Sequence, residues 1–501
     1  MRIDVRPVSR LRGDDPLDLT GTLGPVIGAL CRGTVDLARV SVVCDWVQYR
    51  ENFREVADCR PVLAQPRPAG PEVASGDGDG PPAETGLEIA VDLRRSAGAD
   101  LPAVISGLLD EHANPAGSRR VPLEPWGPAR QSCIWRFNAL YWQALSHWEQ
   151  ATGREYEQAL PGGQSDARNA AAARELILEL FKVWDDLDAR GALPAELYVA
   201  ELGVGNGSQA RTWLDEFEAL STAHSRDYYR RLHYLMGDYS PHVLSRASKA
   251  VAHHGDHVSA LVVEATHPSV SLGFLQGKAF LVYLSNVYDT LPGDEIARIG
   301  GRPYLVEVRA YLPGTDARRI ARKFSAPAAR LPDLVGKLLR LGPELLCEAF
   351  GQHFEALAEA VAFWREVWSA LRLQERYVPL QGLDEYPLTQ DLTGEQLRSQ
   401  LEANGDIRMH VNNGALSSFA ETLPLLHPFG RLECHDLFLS DVRQYRTGFY
   451  GPGKYDGSVV NWVNGPLLRH VGGRAGYDVA IAPFAQRPSA NVKTLTAQVR
   501  E

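Results

Sequence analysis

Leu197-Tyr198-Val199-Ala200-Glu201-Leu202-Gly203-Val204-Gly205-Asn206-Gly207 is the stretch on which the fold of this 501-residue chain turns. The apolar run from Leu197 to Ala200 reads as a strand, and the glycines at 203, 205 and 207 let the backbone bend sharply and approach a ligand where a side chain would clash. From Gln209 to Leu220, Trp213, Leu214 and Phe217 recur at helical spacing, so the unit is strand, tight turn, helix. Downstream, Tyr234–Met236, Ala260–Val263 and Ala279–Leu284 predict three more strands, with a helix over Val243–Val251 between the first two. Strands apolar on both faces that alternate with helices predict an α/β fold, a Rossmann-like parallel sheet with helices on both faces.

Acids at the strand ends narrow the ligand. A dinucleotide fingerprint places a third glycine where this chain has Ser208, which disfavours a nicotinamide oxidoreductase. Glu201, just before the turn, suits a cationic amino group and would repel a phosphate. Asp238 follows the second strand, where a carboxylate can accept both ribose hydroxyls, and Glu264 follows the third, placed to accept from an adenine amino group. The pattern predicts a zwitterionic nucleoside held by Glu201, Gly203, Gly205, Gly207, Asp238 and Glu264.

These residues resemble the first motif of class I S-adenosylmethionine-dependent methyltransferases, and more narrowly the MidA-type family, which includes the complex I assembly arginine methyltransferase. Asp238-Tyr239-Ser240-Pro241 matches that family's acid followed by Ser-Pro, and Asp289-Thr290-Leu291-Pro292 matches the end of its Asn-Glu-Phe-Phe-Asp-Ala-Leu-Pro signature. The likeness covers residues 160–312 and, loosely, 430–485. It implies S-adenosyl-L-methionine as cofactor and methyl transfer as the activity. Asn286 and Asp289 are then the residues expected to orient an acceptor or take its proton. Ser285 and Asn286 stand where the family has Asn and Glu, so a protein side chain and a small molecule both stay open as acceptor. The same replacements admit a second reading, an assembly or scaffold protein of this fold that holds cofactor without turnover.

The remaining chain is divided by pattern. Residues 1–125 form an N-terminal region without an assigned role, with strands expected at Val40–Cys44 and Leu87–Val91 and a mobile Pro/Gly-rich linker at 65–86. Residues 126–312 are expected to form the cofactor-binding half of the core, 313–425 an inserted helical substrate or lid subdomain, and 426–501 the strands that complete the core. From Cys133 to Trp148, Ile134, Phe137, Leu140, Tyr141, Leu145 and Trp148 recur at helical spacing and predict one amphipathic helix with those aromatics in the core, and Leu160–Asn169 is read as a turn capping a helix near Asp166. Phe350, Phe354, Leu357, Val361, Trp364, Trp368 and Leu371 are expected on one long helix, as core or as a homodimer seam. In the tail, His435-Asp436, the Tyr450–Gly457 loop and Asn461–Gly465 are candidates for the acceptor pocket, and Asp289 is also a candidate helix cap.

Composition excludes other classes. A net charge of −10 argues against nucleic acid as partner. Six scattered cysteines without a C-x-x-C pair predict no metal site and a reducing compartment. No signal peptide or apolar span is readable, and arginine far outnumbers lysine, so a cytoplasmic bacterial protein away from membranes is expected.

Overall fold

The predicted unit around residue 200 forms a strand over Leu197–Leu202 and a helix over Ser208–Ala223 that begins at Gly207. The structure, a computed structural model, describes residues 1–6, 19–33, 35–65, 84–117, 119–156, 170–486 and 491–500. The body of the linker at 65–86 and the turn at Leu160–Asn169 with its cap near Asp166 lie outside the described residues. Strands over Leu232–Asp238, Val258–Val262 and Ala279–Ser285 follow, and the chain returns to the sheet with Leu426–Asp436, Tyr477–Pro483 and Lys493–Val499.

Counted along the chain, these seven strands lie in the order six, seven, five, four, one, two, three. The first five pair in parallel and the seventh runs antiparallel to both neighbours. Val199, Ala200, Phe280 and Val282 are buried because both faces are covered. On one face Trp184 and Phe217 pack from the helices Ala170–Ala189 and Ser208–Ala223. On the other, Leu416, Phe419, Leu467 and Leu468 pack from Asn413–Thr422 and Gly465–Arg474. The expected Rossmann-like sheet with helices on both faces is therefore present. Strand one lies between two and four, so the connections leave it toward opposite edges, and a crevice opens at that switch point.

A second sheet corrects the expected domain plan. The N-terminal strands Arg2–Arg6, Val40–Asp45, Glu84–Asp92 and Ala57–Leu63 continue into Arg372–Pro379, Arg302–Pro313, Glu295–Ile299 and Ile407–His410. Residues 295–312, expected in the core, and the strands of the insertion thus share one sheet with the N-terminal region, and the insertion is α/β, not wholly helical. The expected long helix runs only over Leu357–Ala370. Its predecessor ends at Ala349, and Phe354 reaches the same core from the intervening segment around Gly351. The helix predicted through Trp148 is likewise two, Cys133–Gln143 and Leu145–Thr152, meeting at Ala144. None of the described helices is long and apolar enough to cross a membrane.

The two halves of the second sheet are stitched by buried charge. The parallel ladder between them has one register pair, Val62 with Tyr377. Beside it, Arg60 reaches Glu375 at 2.7 Å and Glu88 at 2.9 Å, while Arg408 bonds Glu295 and, at 2.7 Å, Glu375. The cluster is buried, and its arginines hold Glu375 well below the usual carboxylate range against the opposing effect of burial. Removing one partner strands the others without water. Arg408→Met is therefore expected to lower unfolding free energy by about 3–5 kcal/mol. Urea denaturation checks this, and a loss below about 1 kcal/mol would show that the cluster does not hold the sheet halves together.

Candidate active site

The glycine turn sits at the switch point. Gly203, Gly205 and Gly207 have φ of 74°, 57° and 79°, the left-handed region that side chains disfavour. A Cβ at Gly203 would lie 2.4 Å from Val287 Cγ2, and one at Gly207 2.7 Å from Ala247 Cα in the helix Pro241–Ala250. Space as well as φ therefore requires glycine here. The Gly203 N–H donates to the Gly237 carbonyl at 2.8 Å, tying the turn to the end of the second strand.

Three of the predicted acids face the same cavity from three strand ends. Glu201 is buried, accepts the Tyr234 hydroxyl at 2.6 Å, and is pushed up to about 8 by burial, opposed by that bond. Asp238 accepts the Ser240 N–H at 2.9 Å and is pushed up to about 6 by burial. Glu264 lies two residues beyond the third strand, exposed, with Oε1 accepting from the Thr266 hydroxyl at 3.0 Å.

The fourth strand leads into a strained loop. Asn286 has a φ of 53°, and its N–H donates to the His435 carbonyl at 2.9 Å. Tyr288–Thr290 forms a short helical turn, and the chain continues after Pro292 as a strand, so Asp289 caps no helix there. Asp436, at the end of the fifth strand, accepts the N–H groups of Tyr288 at 2.8 Å and Leu437 at 2.7 Å, with that of Asp289 at 3.3 Å. Burial pushes Asp436 up to about 7, and burial together with the charge of Asp436 holds Asp289 well above the ordinary range. The Asp289 Oδ1 is buried without a hydrogen bond.

Glu201, Gly203, Gly205, Asp238, Glu264, Asn286 and Asp289 all line one cavity of about 780 Å³, and Gly207 stands behind the turn. The wall opposite the strand ends comes from elsewhere in the chain. Trp135, Asn138 and Trp142 project from the helix Cys133–Gln143, Gln48 and Tyr49 come from the loop after the strand Val40–Asp45, and Tyr455 to Val460 from a hairpin. The Asn138 amide donates to the Thr290 carbonyl at 2.9 Å and its oxygen accepts the Val459 N–H at 2.9 Å, joining the acid-bearing loop to the hairpin.

Of the stripe aromatics expected in the core, Phe137, Tyr141 and Trp148 are buried there and Tyr141 also lines the cavity, while Trp135 and Trp142, outside that stripe, line it from the helix Cys133–Gln143. Of the tail candidates, Tyr455–Gly457 belongs to the hairpin and Trp462 lines the cavity. His435 does not line it, and bonds Thr494 at 2.9 Å instead. Gln48 and Tyr49 were not singled out from sequence, because nothing in Val47-Gln48-Tyr49-Arg50 distinguishes them from any loop. Away from the cavity, Asp215, His253 and His254 bring ligand-type atoms together, where sequence predicted no metal site; in the structure Asp215 accepts from both imidazoles at 2.9 and 3.0 Å.

No family model matches this chain, and no curated protein does. Among solved structures it is similar to a COG1565 superfamily member from Burkholderia thailandensis bound to S-adenosyl-homocysteine, at 14% identity over 79% of this chain and 92% of that one, with a TM-score of 0.41. A native structure of a COG1565 superfamily protein from the same organism matches at 13% identity over 79% and 91%, with a TM-score of 0.37. The CcbJ methyltransferase from Streptomyces caelestis matches at 10% identity over 66% and 90%, with a TM-score of 0.28.

The raised Glu201 has a signature in stability. Folded, it keeps its proton to about pH 8, whereas unfolded it loses it near 4.5, so the folded state binds the extra proton between those values. Its contribution is full below the lower value and is lost as pH rises to the upper one. Relative to wild type, Glu201→Gln should gain stability across that window and then level off, by an amount on the order of a few kcal/mol. Urea midpoints at several pH values check this, and a pH-independent difference would mean that Glu201 is ionised in the folded protein.

Proposed function

We propose that this chain is an S-adenosyl-L-methionine-dependent methyltransferase whose cofactor lies across the switch point. The observation that carries the reading is the meeting, in one cavity, of a side-chain-free turn with Glu201 and Asp238 at neighbouring strand ends. The donor and acceptor pattern fits the group. Asp238 retains an oxygen for ribose hydroxyls, and Glu201, buried and proton-bearing, becomes a carboxylate when a cationic ammonium approaches. Glu264 and the segment after it offer polar atoms at the third strand end for an adenine edge. Gly203 and Gly205 keep side chains out of the turn, where Val287 and Tyr156 already fill the space a Cβ would take.

The cofactor supplies an electrophilic methyl on a positively charged sulfur. The work left to the chain is placement of the acceptor in line, exclusion of water and handling of one proton. Asn286 and Asp289 sit on the loop between the cofactor turn and the opposite wall, and Asp436 fixes that loop through its backbone. Asp289 is a positioned acid or base at the acceptor end, and Asn286 a neutral hydrogen-bonding group beside it.

Calorimetric titration of S-adenosylhomocysteine should show binding to wild type and a loss of about 2–4 kcal/mol in Asp238→Ala, the scale of hydrogen bonds to a charged group. No binding to wild type would overturn the reading, and unchanged affinity in the variant would remove Asp238 from the site.

A further inference from the structure

The helix that begins at the glycine turn meets the segment after the helix behind Asp238 at three metal-ligating side chains. Asp215 lies on the helix Ser208–Ala223, and His253 and His254 on the short helical segment Ala252–His257 that follows the helix Pro241–Ala250. Asp215 Oδ1 stands 2.9 Å from His253 Nε2 and 3.0 Å from His254 Nε2, and the three atoms lie within 4.8 Å of one another. Ligands about 2.0–2.2 Å from one ion stand roughly 2.9–3.4 Å apart, so both separations are those of atoms that can share an ion.

Two features distinguish this group from a surface hydrogen bond. Consecutive residues on a regular helix point about 100° apart. At His254, with φ of −101° and ψ of 18°, the helix is broken, and the two imidazole centroids come to 4.0 Å with both Nε2 atoms on one carboxylate oxygen. The second feature is the support behind the inner ligand. The His254 side chain is fully buried, and its Nδ1 lies 2.5 Å from the Tyr229 hydroxyl. That hydroxyl can accept from Nδ1–H, which leaves Nε2 a lone pair for a metal, the outer bond that orients most ligating histidines. Asp215 and His253 are half-exposed, so an ion enters from solvent and meets His254 on its inner side.

We propose that Asp215, His253 and His254 bind a divalent transition-metal ion of the zinc type through two imidazole nitrogens and one carboxylate oxygen, with water completing the shell. The nitrogens suit zinc, copper or nickel and discriminate against magnesium and calcium, which take oxygen ligands. None of the three residues lines the large cavity, so the ion braces the fold and takes no part in chemistry there. It ties the middle of the helix Ser208–Ala223 to the chain leaving the helix Pro241–Ala250, the pair that packs where a Cβ at Gly207 would meet Ala247. These helices start beside Gly207 and Asp238, so the brace fixes the spacing of two elements at the glycine-turn end of the cavity, whatever the cavity binds. Sequence reading passed over the site because His253 and His254 are adjacent, without the spacing of a metal motif, and Asp215 joins them only in the fold.

Equilibrium dialysis of the full chain, stripped with EDTA and then held against micromolar zinc or magnesium, tests this with the bound metal counted by atomic emission. The expected result is a zinc ion on each wild-type chain that Asp215→Asn and His253→Gln, both at exposed positions, no longer retain, and no comparable retention of magnesium. Tyr229→Phe should weaken zinc by about 10–100-fold, the usual effect of removing the partner behind a ligating histidine. Zinc should also raise the melting temperature of wild type and not of Asp215→Asn, because an ion bound by the folded state alone stabilises it. Far-UV circular dichroism without metal reports that each variant folds. Failure of wild type to retain zinc, retention unmoved in Asp215→Asn or in His253→Gln, or magnesium held as well as zinc overturns the proposal and leaves the three residues a hydrogen-bonded cluster.

Discussion

The buried ionic cluster of Arg60, Arg408, Glu295 and Glu375 is the interaction on which the cavity's far wall depends. The Rossmann-like sheet supplies strand ends and loops, hence one side of a crevice. The opposite side needs chain from the N-terminal region, which a single register pair would hold loosely. Charges removed from water bind strongly to well-placed partners and poorly to anything else. The cluster therefore fixes the N-terminal strands to those of the insertion in one arrangement. From that frame Val47 and Asn52 bridge to Phe449 and Gly453, and the Tyr49 ring lies so close over Gly453 that a Cβ there would come within 2.3 Å of it.

A second buried device works at shorter range. Asp436 ends the fifth strand and spends its oxygens on backbone N–H groups of the loop that carries Asp289. The position of Asp289 is thus set by main-chain bonds from a neighbouring strand, which leaves its own Oδ1 free. The closeness of the two carboxyls and their burial together raise Asp289 above the ordinary carboxylate range, since ionising both in a buried site is costly. Lys454 shows the same economy in the hairpin. Its buried Nζ donates to the Trp368, Ser369 and Leu371 carbonyls at 2.6, 3.1 and 2.8 Å, so a potential cation braces the wall instead of facing the ligand.

How much of this was legible in the sequence depended on the range of the interactions. The first four strands of the Rossmann-like sheet could be read because each is an apolar run closed within a few residues by glycine or acid, and pattern and structure are local to one another. The second sheet could not. Arg60 and Glu375, or Val62 and Tyr377, meet across more than half the chain, and neither segment carries a sign of its partner. Helical periodicity misled at Phe350–Leu371 because Phe354 keeps the spacing although one helix ends at Ala349 and the next begins at Leu357, so an apolar stripe outlived the element expected to carry it. Tyr141 shows the complementary ambiguity, since a large aromatic at helical spacing looks the same whether it meets core or cavity.

The division between legible and illegible parts follows the division of labour in the cavity. The residues that carried the family resemblance, from Glu201 to Gly207 and Asp238 to Pro241, stand at the end assigned to cofactor, where a ligand of fixed shape constrains backbone and charge alike. Those that depart from it, Ser285 and Asn286, stand toward the wall built by Gln48, Tyr49 and the hairpin. A site assembled this way can change one ligand without disturbing the other, because the two ends are held by different sheets. The glycine turn is packed against Val287 and Ala247, whereas the Gln48–Tyr49 loop of the facing wall follows a strand of the second sheet. In the methyltransferase reading, acceptor choice then has to be read from packing at the facing wall, since no motif at the cofactor end constrains it.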